Sequence, residues 1–145
     1  MIDTGYKKLE IYQRAHNLGV QIHLMTLKLP KFEMYEEGSQ IRRSSKSVSS
    51  NIVEGYCLRK HKKEFLLYLG RSYASTSETI EHLEYIFETS SLKDEALYQN
   101  LRSEFESLSK MIFVFAQKVV EAHTQPHYLK EPDSQYTISP DDSEL

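Results

Sequence analysis

The chain predicts an all-α fold, an antiparallel up-down four-helix bundle, on three observations. Helix breakers are scarce: the 145 residues hold five Gly and four Pro, and three of the prolines (Pro126, Pro132, Pro140) fall in the last twenty residues. Apolar residues recur at alternating three- and four-residue spacing in four long segments. The intervals between those segments are short, which suits antiparallel neighbours.

Helix 1 is expected from about Lys8 to Leu29, with Ile11, Ala15, Leu18, Ile22, Met25 and Leu29 as its apolar stripe. A second, shorter stripe of Val20, Leu24 and Leu27 lies beside it. Pro30 closes the helix, because it lacks an amide hydrogen and restricts the residue before it. Helix 2 is expected from about Glu36 to Leu58, with Ile41, Ser45, Val48 and Ile52 inward. Six serines fall between Ser39 and Ser50. Serine is a mediocre helix former, so its use here is size: a neighbouring helix can approach closely.

Helix 3, about Lys60 to Thr89, carries Leu66, Leu69, Tyr73, Thr76, Ile80, Leu83 and Phe87. Helix 4 follows Ser91-Leu-Lys-Asp94, which resembles a capping box, and runs to about His123 on Leu101, Phe105, Leu108, Ile112, Phe115 and Val119. Residues 1–123 form the bundle domain; Thr124 to Leu145 reads as a flexible acidic tail, with Tyr128, Leu129, Tyr136 and Ile138 available to dock on a neighbour.

Met111-Ile-Phe-Val-Phe-Ala116 is apolar all round the helix, more than one copy of a bundle requires. Either this surplus, with the second stripe of helix 1, is buried between subunits of a homo-oligomer, or helix 4 is buried centrally.

Composition narrows the function. One cysteine, Cys57, allows no internal disulfide. There is no signal-peptide pattern and no run near the roughly 18 apolar residues a membrane span needs, so a reducing cytoplasm is expected. Residues 1–72 carry 13 Lys/Arg against 7 Asp/Glu, and residues 73–145 carry 5 against 14. The halves can therefore attract one another, or different partners.

No Gly-rich phosphate loop, nucleophile elbow or paired acid/base motif occurs, so no catalytic or cofactor-binding residue is assigned and no enzyme is expected. A di-iron bundle needs Glu-x-x-His, and none of the six histidines has a carboxylate three residues before it. Glu78, Glu81, His82 and Glu84 read as a solvated face rather than a cation site. Cys57 reads as a small buried thiol, although Arg59 and Lys60 beside it could lower its pKa. A basic amphipathic helix for a membrane surface is missing.

The most informative segment is Gln40 to Gly55. Gln40, Arg43, Ser47, Asn51 and Glu54 are three, four, four and three apart, one polar stripe bordering the apolar one. It is either a partly buried hydrogen-bonded seam that fixes helix or subunit register, or a wet face. Arg42 and Lys46 lie to another side. With Arg43, and with Arg59, Lys60, Lys62 and Lys63 at the helix 2–3 corner, they make the only basic concentration, a candidate contact for RNA or DNA.

Leu9, Tyr12, Ala15, Leu18, Thr26, Pro30 and Glu33 lead into the signature Gln40-Ile-Arg-Arg43, Ser47, Asn51-Ile52 and Glu54-Gly55, continued by Phe65, Leu69, Ser75 and Glu78. On these residues, over roughly positions 6 to 120, the chain resembles the four-helix bundle proteins encoded in intervening sequences of bacterial 23S ribosomal RNA genes. Accessory proteins of diversity-generating retroelements are relatives of that family. The resemblance implies a ring-like homo-oligomer, a pentamer by preference, and among the retroelement relatives partners that are a reverse transcriptase and nucleic acid. Glu36-Glu37-Gly38, Ser44-Ser45 and Tyr73-Ala74 depart from the pattern, and the chain is acidic where nucleic-acid-binding relatives tend to be basic.

Overall fold

A computed structural model describes residues 1–122. Among them are four α-helices and no strand: α1 Glu10–Thr26, α2 Glu37–Cys57, α3 Lys62–Glu88 and α4 Glu95–Glu121. The fold is all-α. The C-terminal segment expected as a flexible tail lies outside the described residues, as does the expected helix end at His123.

The stripes of α1, α2 and α4 are buried as spaced. Ile11, Ala15, Leu18 and Ile22 of α1 meet Ile41, Val48 and Ile52 of α2 and Leu101, Phe105, Leu108 and Ile112 of α4 in one core. Each such large aliphatic or aromatic side chain stabilises the fold by about 1.5–3 kcal/mol relative to exposure.

α1 ends earlier than Pro30 alone would dictate. Thr26 Oγ1 donates to the His23 carbonyl at 2.7 Å, and the amides of Leu27 and Leu29 donate back to the carbonyls of His23 and Thr26. The chain has thus left regular helix before it reaches the proline. Asp94, not Ser91, caps α4: its Oδ1 accepts the Leu97 amide at 3.0 Å. Ser91 stands three residues too early and donates instead to Glu33 Oε2 at 2.5 Å.

The face of α3 differs from the expected stripe. Tyr73 is 41% exposed, while Phe65, Ser72, Ser75, Thr79 and Ile86 join Leu69, Thr76 and Leu83 in the interior. α3 is covered on two sides. Towards α4, Phe65 meets Phe115 and Phe87 stacks on Tyr98 at 4.1 Å; towards α2, hydroxyls bridge part of the contact. Hydropathy alone does not register that second side.

Ser72 Oγ donates to the Val48 carbonyl at 2.7 Å, Ser75 Oγ to Ser47 Oγ at 3.0 Å and Thr79 Oγ1 to Ser44 Oγ at 2.9 Å. Partners on α2 recede as the chain advances along α3. The small serines do permit close approach. At Gly55 of α2, an added Cβ would stand 3.0 Å from the Tyr68 Cβ of α3.

α4 is not centrally buried. Ile112 and Phe115 are interior, but Phe113 and Val114 are about half exposed, as are Val20 and Leu24 of α1 and Leu27 just past its end. Among the described residues, no helix is long and apolar enough to cross a membrane.

Candidate functional site

The outward side of α2 divides into two strips because the helix is flanked by α1 and α3. Lys46 points to α1, where its Nζ lies 3.1 Å from His23 Nδ1. Arg42 Nη2 donates to the Met34 carbonyl at 3.0 Å, tying α2 to the turn before it. The polar stripe faces the α3 side. At its centre Asn51 Nδ2 donates to the Ser47 carbonyl (2.8 Å) and Ser47 Oγ (2.9 Å), and Ser47 Oγ accepts from Ser75.

Gln40, Arg43 and Glu54 are exposed, and among the described residues no side-chain hydrogen bond joins them to the rest of the stripe. Within one copy, therefore, only Ser47, Asn51 and Ser75 form a network. The ends of the stripe face outward with their hydrogen-bonding capacity open.

The seven cations do not come together. Arg43 and Lys60 are seventeen residues apart along α2 and its end, roughly 25 Å at helical rise, so the candidate basic surface is two separate groups. At the corner, Arg59 is only 6% exposed. Its Nη1 donates to Asp3 Oδ2 and to the Tyr56 carbonyl, both at 2.8 Å, and its guanidinium lies 4.0 Å from the Tyr56 ring centroid.

Lys62 Nζ donates to the carbonyls of Val120 (2.8 Å) and Ala122 (2.9 Å), neutralising the negative end of α4. Both residues hold the fold together and are poorly placed to contact a phosphate. Lys60 and Lys63 remain exposed.

The sequence reading missed two polar features. One is the buried hydroxyl contact of α3 with α2, whose only signal was a run of small polar residues on both helices. The other is Glu33, 2% exposed, whose Oε1 accepts the Gly38 amide at 3.0 Å while Oε2 accepts from Ser91. A buried carboxylate here joins the start of α2 to the α3–α4 turn, and nothing local to Glu33 announces its partner 58 residues away.

Cys57 is exposed, not buried as expected. Local desolvation of its sulfur raises the thiol pKa above the ordinary value, and Asp3 and Glu54 add to this against the opposing charge of Arg59. His82 Nδ1 lies 2.6 Å from Glu37 Oε2 and Nε2 lies 3.4 Å from Glu78 Oε2. Among the described residues, no group of three or more His, Cys, Asp or Glu side chains is arranged to hold a metal ion.

Fold and site together define an all-α, four-helix protein in which many of the described side-chain hydrogen bonds join one helix to another or to a turn. A family model described as 23S rRNA-intervening sequence protein matches residues 7–114, from ahead of α1 to well into α4. The chain belongs to that family. A comparison with the curated proteins finds no match.

Proposed function

We propose that the protein acts by association, as a non-enzymatic cytoplasmic scaffold: antiparallel up-down four-helix bundles assembled into a ring-like homo-oligomer. The observation that carries this reading is the apolar surface left open on one copy. Val20 and Leu24 on α1, Leu27 at its end, and Phe113, Val114 and Val120 on α4 are each 46–55% exposed. The reversed pairing of α2 with α3 supports the up-down arrangement, and the family supports a ring of five.

Light scattering on a sizing column tests it. The expected mass is a multiple of the 17.0 kDa chain, five-fold for a pentamer. A single-chain mass overturns the scaffold.

Nucleic acid, or a protein that handles it, is the second reading, favoured by the exposure of Lys60 and Lys63 at one corner. In a ring these cations would repeat around a rim and multiply weak contacts. Arg59 and Lys62 contribute little to it, being committed within the chain. An electrophoretic shift series over several salt concentrations tests it: Lys60→Glu with Lys63→Glu should weaken RNA binding and flatten its salt dependence.

A further inference from the structure

α1 and α4 enclose a groove of about 480 Å³. Met111, Val114 and Phe115 make its apolar floor, and Arg14, Lys110 and Lys118 stand around it. Arg14 is bridged to Glu10 at 3.1 Å. Among the described residues, neither Lys110 nor Lys118 has an ion-pair partner. The groove, which Glu10 also lines, therefore pairs apolar surface with net positive charge from Lys110 and Lys118.

We infer that this groove seats the chain's own acidic C-terminal segment, residues 123–145, docked on the bundle it leaves. Charge complementarity is the first support. Beyond Ala122 the sequence holds five Asp/Glu against one Lys, with Tyr128 and Leu129 just ahead of Glu131 and Asp133. An apolar pair followed by carboxylates matches an apolar floor followed by cations.

Reach is the second support. Ala122 lies one helical turn past Lys118, and its backbone is already extended (φ −72°, ψ 103°). The six residues from Ala122 to Tyr128 span up to ~20 Å. From Lys118 back to Met111 is ~10 Å of helix. The segment has length enough to turn and lay Tyr128 and Leu129 over Val114 and Met111, bringing Glu131 and Asp133 towards Lys110 and Arg14. Docked there, it covers one apolar face and leaves association to the others. This inference does not depend on the oligomeric state.

Chymotrypsin cleavage of the full chain at low salt, after Tyr128, Leu129 and Tyr136, tests it against a synthetic peptide of residues 123–145. Cleavage in the chain should be about ten-fold slower or more. Lys110→Glu with Arg14→Glu, which reverses the two cations facing Glu131 and Asp133, should bring it to the peptide's rate, with helix content by circular dichroism unchanged. Adding Glu131→Lys and Asp133→Lys should restore protection, measured against a peptide with the same changes.

Cleavage of the unaltered chain at the peptide's rate overturns the inference. So does protection that survives the double reversal, which places the segment elsewhere, or a swap that fails to rescue. Protection lost on dilution also overturns it, because the occupant is then a second copy's segment.

Discussion

Thr79 Oγ1 lies 2.9 Å from Ser44 Oγ across the junction of α3 with α2, and both residues are buried. The same Thr79 oxygen is 2.7 Å from the Ser75 carbonyl of its own helix. Hydroxyls thus satisfy one another where two helices come too close for larger side chains.

Thr79→Val keeps the shape of the side chain and removes its hydroxyl. The Ser44 hydroxyl then loses its cross-helix partner in a buried setting, and stability should fall by about 1–2 kcal/mol in urea titration. Ser72→Leu, at the position bonded to the Val48 carbonyl, should cost more, because overpacking adds to the lost bond. An unchanged midpoint for both would show that the junction is loosely packed.

Gly38 at the start of α2 has no room for a side chain. A Cβ there would fall 2.3 Å from the Glu33 carbonyl oxygen, a backbone atom that cannot swing away. Gly38→Ala should displace the helix start, weaken the Glu33–Gly38 bond and lower the melting temperature by roughly 5–10 °C, a loss of about 2 kcal/mol. Glu33→Ala should do comparable damage, since it strips the Gly38 amide and the Ser91 hydroxyl of their common acceptor. Scanning calorimetry of both variants checks this.

The contrast between Leu108 and Ser72 shows why part of the fold was legible and part was not. Leu108 belongs to a stripe of α4 in which the buried positions are all apolar, so spacing alone places it inward. Ser72 is equally buried, but it is held by a carbonyl on another helix, and hydropathy spacing is blind to that. The same limit applies to the corner cations: Arg59 and Lys62 look like their neighbours Lys60 and Lys63 until Asp3 and the end of α4 arrive from 56 and 58 residues away. In the polar stripe, spacing found the Ser47–Asn51 pair, while the third member, Ser75, had to come from α3.

Asp3 should make stability depend on acid. Its Oδ1 accepts the Gly5 amide at 2.9 Å and its Oδ2 accepts from Arg59 at 2.8 Å. The amide first, then the guanidinium, hold its pKa below the ordinary 3.8. A carboxylate with a depressed folded pKa adds stability that is complete above the unfolded value and is lost as pH falls through the folded one. Urea midpoints of the native chain and Asp3→Asn should therefore differ at neutral pH and converge below about pH 3.8. A gap that stays constant into strong acid would mean the charge of Asp3 contributes nothing.

Arg43 and Asn51 share a stripe but should respond differently to truncation. Asn51→Ala deletes two hydrogen bonds to Ser47 at a half-buried site and should cost about 1 kcal/mol in each copy. Arg43 is exposed without a described hydrogen bond, so Arg43→Ala should leave the stability of a single copy within about 0.5 kcal/mol. Any effect of Arg43→Ala should then be on assembly, read as a shift in the dissociation midpoint on serial dilution. If neither property moves, the outer part of the stripe is only wetted surface.

Val20 and Leu24 decide between association and chance exposure on α1. They are 46% and 55% exposed, and they border the His23–Lys46 contact, so they sit on the α1–α2 side of the molecule. Neither side chain is in the core of one copy, so Val20→Gln with Leu24→Gln should leave helix content intact and cost the lone bundle little. If a second copy covers them, each loses up to about 1.5–3 kcal/mol of burial per interface. A ring repeats that loss at every junction, so the double variant should run at the single-chain mass of 17.0 kDa at concentrations where the native protein is assembled. An unchanged assembled mass would exclude this face from the interface and leave Phe113 and Val120 of α4 as the surfaces to test.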